Sequence, residues 1–334
     1  MTQARPPLPP DEVLNGYRVL RQIGSGGFSV IYLAEDEETF DHVALKEYFP
    51  KRFAARVGVR RIRPAKAEYE VNFDRGQRLF FKEVKTLATL RHPSIVAVSH
   101  CFLANGTAYS VLGYEPGTSL ARFIQNRGGG LSVRFLLTVF PPLLDALELI
   151  HRHRHLHLDI KPSNVRLLPG GRPLLLDFGS AYKLHHGEPG EKAKLVTAGY
   201  SPPEQYQSGE EIGPWTDVHA VGATMRTCLD GKAPPSAAER LAGPVLPPAA
   251  RAYEGRYPRW LLEAIDWAMR LRPIDRPQRA SDLRDYLLAH APDQLPDWGD
   301  EESRHLAPEP ERADFTEDEQ ERGETDAPQW PTTR

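Results

Sequence analysis

The spacing of apolar residues changes once along the chain, near Gly130. Before that point they alternate. In YRVLRQIGSGGFSVIYLAED, residues 17–36, Tyr17, Val19 and Ile23 share a parity, and Val30, Ile31, Tyr32 and Leu33 are β-formers. After it they recur every third or fourth position, with Leu136, Phe140, Leu143, Leu144, Leu147 and Ile150 on one stripe. Strands gathered first and helices second predict an α+β architecture, a small β-rich lobe followed by a larger helical one. The 334 residues suit two such lobes at roughly 150 residues per domain.

A proline-rich leader covers residues 1–16. The pair of strands around GSGG is followed by a third, HVALKEYF, and then by residues 51–75, which are strongly basic and read as irregular. Phe80, Phe81, Val84, Leu87 and Leu90 predict a helix over 77–91, which the His-Pro pair at 92–93 ends. SIVAVSHCFLA and TAYSVLGYE flank Asn105-Gly106 and predict a hairpin. In the second part, Pro141 and Pro142 should kink or restart their helix. Further helices are predicted near 217–229, 260–270 and 281–289, and no internal repeat is visible.

Charge is unevenly distributed. The net of −3 divides into −10 over residues 291–334 and +7 over the rest. The acidic segment is rich in proline and poor in aliphatic residues, so disorder is expected there. The stretch 47–82 carries +6, and the acidic tail has the charge to dock on it. The balance makes no global case for nucleic acid, and none is expected as a partner. No run approaches the ~20 apolar residues of a membrane-spanning helix. The N-terminus has no apolar signal region. Cys101 and Cys228 show no metal or disulfide spacing, which fits reduced thiols and a cytoplasmic location.

Three stretches carry chemistry. GSGGFSV, 24–30, reads equally as a tight hairpin or as a flap whose backbone N–H groups approach phosphates. VALK places Lys46 in an apolar strand, where a buried lysine needs an anionic partner such as Glu83 or a phosphate. HLDIKPSN and LLLDFGS bring Asp159, Lys161 and Asn164 within six residues, with Asp177 thirteen residues further on. Two carboxylates and an amide form an oxygen donor set suited to Mg²⁺. The preceding histidines, His151, His153, His155 and His157, would form a metal tract only if three converged.

In this set of motifs the chain resembles the eukaryotic-like (Hanks-type) protein kinases, and within them the bacterial serine/threonine kinases. The resemblance spans roughly residues 17–289. It implies the bilobal protein kinase fold over 17–290, with an N-lobe at about 17–113 and a C-lobe at about 117–290. It also implies a protein-serine/threonine kinase that uses ATP and Mg²⁺, with Mn²⁺ as a substitute. Its partners would be protein substrates, the kinase itself through autophosphorylation, and a regulatory protein.

By this resemblance Lys46 holds the α- and β-phosphates, Glu83 pairs with Lys46, and Asp159 is the catalytic base. Lys161 contacts the γ-phosphate, while Asn164 and Asp177 bind the metal. Ile23, Gly24, Ser25, Gly26, Gly27, Val30 and Ala44 cover the nucleotide. Leu112 is the gatekeeper, and Gly113 and Glu115 bond adenine through their backbones. Thr197 stands beside the catalytic aspartate. Glu204 of SPPE pairs with Arg276, and the helix from Asp217 braces the catalytic loop. His151 and His157 then have structural roles rather than metal-binding ones.

Three departures from the family pattern stand out. Leu158 replaces the arginine of the HRD motif, Arg166 takes an adenine-floor position that is usually apolar, and 37 positions separate Lys46 from Glu83. Between Ser180 and Thr197 there is no serine or threonine, so regulation without activation-loop phosphorylation is expected. The alternative is a nucleotide-binding pseudokinase or scaffold.

Overall fold

A computed structural model of the chain describes residues 7–177, 182–183, 196–206, 211–243 and 245–291. They form two compact units that divide between Glu115 and Pro116.

The first unit is built on a six-stranded antiparallel sheet. Its strands in chain order are β1 (Val13–Leu14), β2 (Tyr17–Ser25), β3 (Ser29–Asp36) and β4 (His42–Tyr48), and, after an insert, two more. The insert contains β5 (Ala54–Val57), β6 (Arg61–Pro64) and the helix α1 (Glu70–Leu87), and is followed by β7 (Val98–Ala104) and β8 (Thr107–Gly113). The sheet order is β1-β2-β3-β4-β8-β7. Asn105 and Gly106 form a two-residue turn with positive φ at both positions, 54° and 78°, as a tight hairpin requires. Val19, Tyr32, Leu45, Tyr109 and Val111 are buried in the sheet.

Three expectations change in this unit. Residues 54–64 are an antiparallel hairpin rather than irregular chain. The alternation is real, but Arg56 occupies one of its inward positions opposite Ile62 and so hides the pattern. The helix begins at Glu70 rather than near Gln77, because Phe73 extends its buried stripe backwards. The second half of the proline-rich leader belongs to the sheet. Leu8 is 2% exposed and donates its N–H to the Tyr32 hydroxyl at 3.2 Å, and β1 pairs with β2.

The second unit begins with β9 (Thr118–Ser119), α2 (Leu120–Arg127) and α3 (Val133–Arg152). The short strands β10 (His155–Leu156), β11 (Val165–Leu167), β12 (Pro173–Leu175) and β13 (Tyr182–Lys183) follow. Helices α4 (Pro203–Tyr206), α5 (Pro214–Asp230), α6 (Ala237–Ala242), α7 (Ala249–Ala252), α8 (Arg259–Ala268) and α9 (Ala280–His290) complete it. Helix α3 runs unbroken through Pro141 and Pro142, contrary to expectation. A proline inside a helix costs about 3 kcal/mol. Here Phe135, Leu136, Val139, Phe140, Leu143, Leu144 and Leu147 are all buried, against α5 and α9 among others, and that packing outweighs the lost hydrogen bonds. Among the described residues no helix is long and apolar enough to cross a membrane.

Candidate active site

The loop between β10 and β11 is held from below by α5. Asp217, fully buried, accepts the backbone N–H groups of His157 at 2.9 Å and Leu158 at 2.8 Å, and lies 2.8 Å from His151 Nε2. Burial works to raise the Asp217 pKa, but the His151 hydrogen bond and the neighbouring imidazoles outweigh it, and the carboxyl is held below its ordinary value. His157 accepts the Asp159 N–H at Nδ1 (3.3 Å) and faces the Leu176 carbonyl through Nε2 (3.1 Å). Leu158 adopts φ 64°, a costly conformation for a branched side chain that its two backbone bonds hold. Its N–H is taken by Asp217, and its carbonyl accepts from Gln205 Nε2 at 3.0 Å. Gln205 had no expected role, although it lies one residue past SPPE.

This bracing brings Asp159, Lys161, Asn164 and Thr197 together. Asp159 is 7% exposed. The Thr197 hydroxyl donates to Asp159 Oδ1 at 2.8 Å, and Lys161 Nζ lies 3.0 Å from the same oxygen and 3.2 Å from Thr197 Oγ1. Asn164 Nδ2 donates to the Asp159 carbonyl at 2.8 Å and to its Oδ2 at 2.9 Å. With Nδ2 so committed, Oδ1 is the atom of Asn164 left to face a cation. Strand β12 pairs with β11, and the Leu176 N–H donates to the Asn164 carbonyl at 2.8 Å, which fixes the chain just before Asp177. Asp177 is half-buried with φ 53°. Oxygen donors of this kind fit a hard divalent cation, Mg²⁺ included.

The histidines are engaged locally. His153 Nδ1 bonds the Leu149 carbonyl and His155 Nδ1 the His153 carbonyl. Among the described residues no three His, Cys, Asp or Glu side chains converge as a metal site. Glu204 and Arg276 form the expected ion pair at 2.6 and 3.0 Å, both buried. Arg166 lies on β11 opposite Ser119 and Leu174. Phe178, Gly179, Ser180, most of the following loop and the acidic tail from 292 lie outside the described residues.

The first unit holds the other candidates. Lys46 is 6% exposed, with Nζ 5.9 Å from the Phe80 ring centre. Glu83 lies in α1 one turn beyond Phe80. Ser25 pairs with Val30 and Gly24 with Ile31, while Ile23 falls at a break in the β2–β3 register. Gly26 donates its N–H to the Ser29 carbonyl at 2.8 Å. None of Gly24, Gly26 and Gly27 has positive φ, and a Cβ on Gly26 or Gly27 would meet nothing closer than 4.0 Å. Neither backbone conformation nor packing therefore demands glycine at 26 and 27. Leu112 lies opposite Ala44, and Gly113 opposite Val43, with the Gly113 N–H on the Ala97 carbonyl at 2.8 Å. Glu115 ends the unit.

One candidate lies on the other face. Directly opposed residues share a face, and neighbours along a strand alternate. Ile31, Lys46 and Ser110 are opposed, as are Leu33, Ala44 and Leu112. Val30 is opposed to Glu47, so it points away from Ala44 and Lys46. Ile31, which the sequence reading passed over, occupies their face.

Residues 17–243 match the family model described as the protein kinase domain. The serine/threonine-protein kinase PknK of Mycobacterium tuberculosis is 31% identical over 296 residues, 84% of this chain and 24% of that protein. Serine/threonine-protein kinase D of Synechocystis is 31% identical over 232 residues, 67% of this chain and 42% of that protein. The solved structure of PpkA-294 in its apo form matches with a TM-score of 0.74 at 31% identity, covering 84% of this chain and 99% of that one. Fold and motifs thus define a protein with the α+β bilobal protein kinase fold. The chain belongs to the protein kinase family, with Hanks-type bacterial serine/threonine kinases among its relatives, and spans less than half the length of the two curated proteins named.

Proposed function

We propose that this protein is an active, cytoplasmic serine/threonine protein kinase that transfers the ATP γ-phosphoryl group to protein hydroxyls. The observation that carries the reading is the convergence of Thr197, Lys161 and Asn164 on the Asp159 carboxylate. Phosphoryl transfer needs little covalent chemistry from the protein, and catalysis is largely positioning and charge neutralisation. Asp159 orients the incoming hydroxyl and accepts its proton through Oδ1, the oxygen that Thr197 and Lys161 already address. Asn164 keeps Oδ2 turned inward. Lys161 offsets charge on the transferring group.

Asn164 and Asp177 would hold Mg²⁺, which when bound neutralises the β- and γ-phosphate oxygens. Lys46, supported by Glu83, orients the α- and β-phosphates. Glycines at 26 and 27 that no local constraint requires are explained by phosphates approaching the backbone. Ile31 rather than Val30 covers adenine together with Ala44, and the backbones of Gly113 and Glu115 bond it. Acceptors include other proteins and the kinase itself, and a regulatory protein sets the activity in place of activation-loop phosphorylation.

The test is transfer of labelled phosphate from ATP with Mg²⁺ by wild type, Asp159→Asn, Lys46→Met and Asp177→Asn. Removing charge stabilisation of this kind costs about a hundredfold or more in rate. Folded variants with near-normal turnover would overturn the assignment, and a wild type that binds ATP without transfer would favour the scaffold.

A further inference from the structure

The insert hairpin is fastened to the sheet through a buried charge. Glu47, immediately after Lys46, is 0% exposed. It accepts from the Tyr109 hydroxyl at 2.6 Å, from Tyr32 at 3.1 Å, and from Arg56 Nη2 at 2.5 Å and Nη1 at 3.3 Å. The Arg56 side chain is 1% exposed. Its guanidinium also donates to the Arg60 carbonyl at 3.1 Å and the Tyr32 hydroxyl at 3.2 Å, and lies 5.2 Å from the Phe49 ring centre. Burial opposes the arginine charge, but the Glu47 carboxylate outweighs it and the Arg56 pKa is raised. The hairpin is held at its far strand too, where the Ile62 N–H donates to the Asn105 carbonyl at 2.7 Å.

The chain leaving β4 for this hairpin also secures the glycine-rich turn. Phe49 donates its N–H to the Phe28 carbonyl at 2.8 Å, and Lys51 to the Gly27 carbonyl at 2.7 Å. A buried ion pair is seldom more stabilising than an apolar pair of the same size. What it supplies is register, since the two Nη groups, held by a carboxylate, a phenol and a carbonyl while Nε is buried without a partner, have one good position.

The geometry points to Arg56 as a positioning residue for phosphoryl transfer, which by pairing with Glu47 locks strand β4, and with it Lys46 and the 24–29 turn, against the insert hairpin. This rests on the reading of Lys46 as the phosphate contact. Arg56 touches neither nucleotide nor acceptor and acts through the residue next to Lys46. The insert thus works as a brace on the nucleotide-binding strand rather than as a passive surface loop.

Removing Arg56 alone would strand the Glu47 charge, so the variant to make is Arg56→Met with Glu47→Gln, in which the glutamine oxygen still accepts from Tyr109. Misplacing a binding group by ~1 Å can cost up to a hundredfold, so the KM for ATP is expected to rise about tenfold while the KM for the protein acceptor stays unchanged. A merely smaller folded fraction lowers kcat and moves neither KM. An unchanged KM for ATP in the folded double variant would overturn the proposal. The second measurement needs no variant and decides the matter if the double variant does not fold. Coupling is reciprocal, so a non-hydrolysable ATP analogue with Mg²⁺ should slow amide exchange at residues 54–57 of the wild type. Exchange there unaffected by saturating analogue would also overturn it. If Lys46→Met itself keeps a normal KM for ATP, the reading of Lys46 has failed rather than the brace.

Discussion

The Thr197 hydroxyl donates to Asp159 Oδ1 at 2.8 Å, and the same oxygen lies 3.0 Å from Lys161 Nζ. Thr197 is itself fixed, its N–H donating to Ser201 Oγ at 3.1 Å. The segment that leads into SPPE therefore sets the rotamer of the proposed base. Thr197→Ala should lower kcat about ten- to a hundredfold through misorientation of that carboxylate, with the KM for ATP little changed. Thr197→Ser, which keeps the donor, should restore most of the rate. Initial-rate kinetics on the three proteins check this, and an alanine variant with wild-type kcat would dissociate the hydroxyl from the reaction.

Glu204 and Arg276 are an ion pair with no solvent around it. Their side chains are 1% and 0% exposed. The arginine also reaches the carbonyls of Arg270 and Leu271 at 2.6 and 2.7 Å, and Thr216 donates to Glu204 Oε1 at 3.0 Å. Removing one partner leaves the other charge buried, which costs about 3–5 kcal/mol. Arg276→Met should therefore destabilise the second unit strongly. Combining it with Glu204→Gln should recover part of the loss, because no charge is then stranded. Urea unfolding of both variants measures the difference, and equal midpoints would contradict it.

Short-range chemistry was legible in the sequence, and long-range packing was not. The β7–β8 turn was visible in Asn105-Gly106, because few residue pairs accept two positive φ values in succession. Asp159, Lys161 and Asn164 were visible because they lie in one loop. Glu204 with Arg276 was legible only through the family resemblance. The β5–β6 hairpin was hidden because its inward side chain is an arginine, which composition counts as surface. Helix α3 looked broken because local rules assign each proline its cost but cannot see the burial on both sides. Val30 was misplaced by one position. The glycine-rich motif leaves one residue between its third glycine position, here Ser29, and the apolar residue over the nucleotide, so correct spacing and the unbroken β3–β4 register both give that face to Ile31. Gly76, inside α1, carried no sequence signal. Its role is steric, since a Cβ there would stand 2.0 Å from the Tyr48 hydroxyl.

His219 sets a pH dependence. It is 2% exposed, with Nδ1 placed 3.2 Å from the Tyr200 carbonyl as donor and Nε2 accepting from Arg240 at 3.3 Å, so both nitrogens are used by the neutral ring. Burial, and then the charges of Arg276 and Arg240, hold its pKa well below 6.5. The unfolded chain takes up a proton near pH 6.5, but the folded one does not until the pH is much lower. Unfolding therefore binds a proton in that window, and this site's contribution to stability falls as pH drops below about 6.5, by up to ~1.4 kcal/mol per pH unit. His219→Gln removes this term. The stability difference between wild type and variant should shift in the variant's favour by about 1–2 kcal/mol from pH 7 to pH 5. A constant difference across that range would show that the site does not titrate in this way.

Activity should not depend on phosphorylation of the activation loop. Kinases that use such a switch pair the new phosphate with the arginine of their catalytic loop and so order the segment. In this chain that position is Leu158, which is 6% exposed and held by Asp217 and Gln205 through its backbone. An apolar side chain buried there offers a phosphate nothing, and Leu158→Arg would place an unpaired charge in its site rather than create a receptor. The acceptor is missing as well, since no serine or threonine lies between Ser180 and Thr197. Thr197 is committed to Asp159 and Lys161, so a phosphate on it would set like charges against the Asp159 carboxylate. With no arginine receptor and no serine or threonine between Ser180 and Thr197, control is expected from a partner protein, the insert or the acidic tail. The check is to dephosphorylate the purified enzyme, confirm by mass spectrometry that residues 178–197 are bare, and follow the first turnovers on an added protein substrate. A linear course from the first time point is expected. A lag that disappears as phosphate accumulates on this loop would show that Ser180 or Tyr182 is modified and read by another basic residue, such as Lys183 or Lys194.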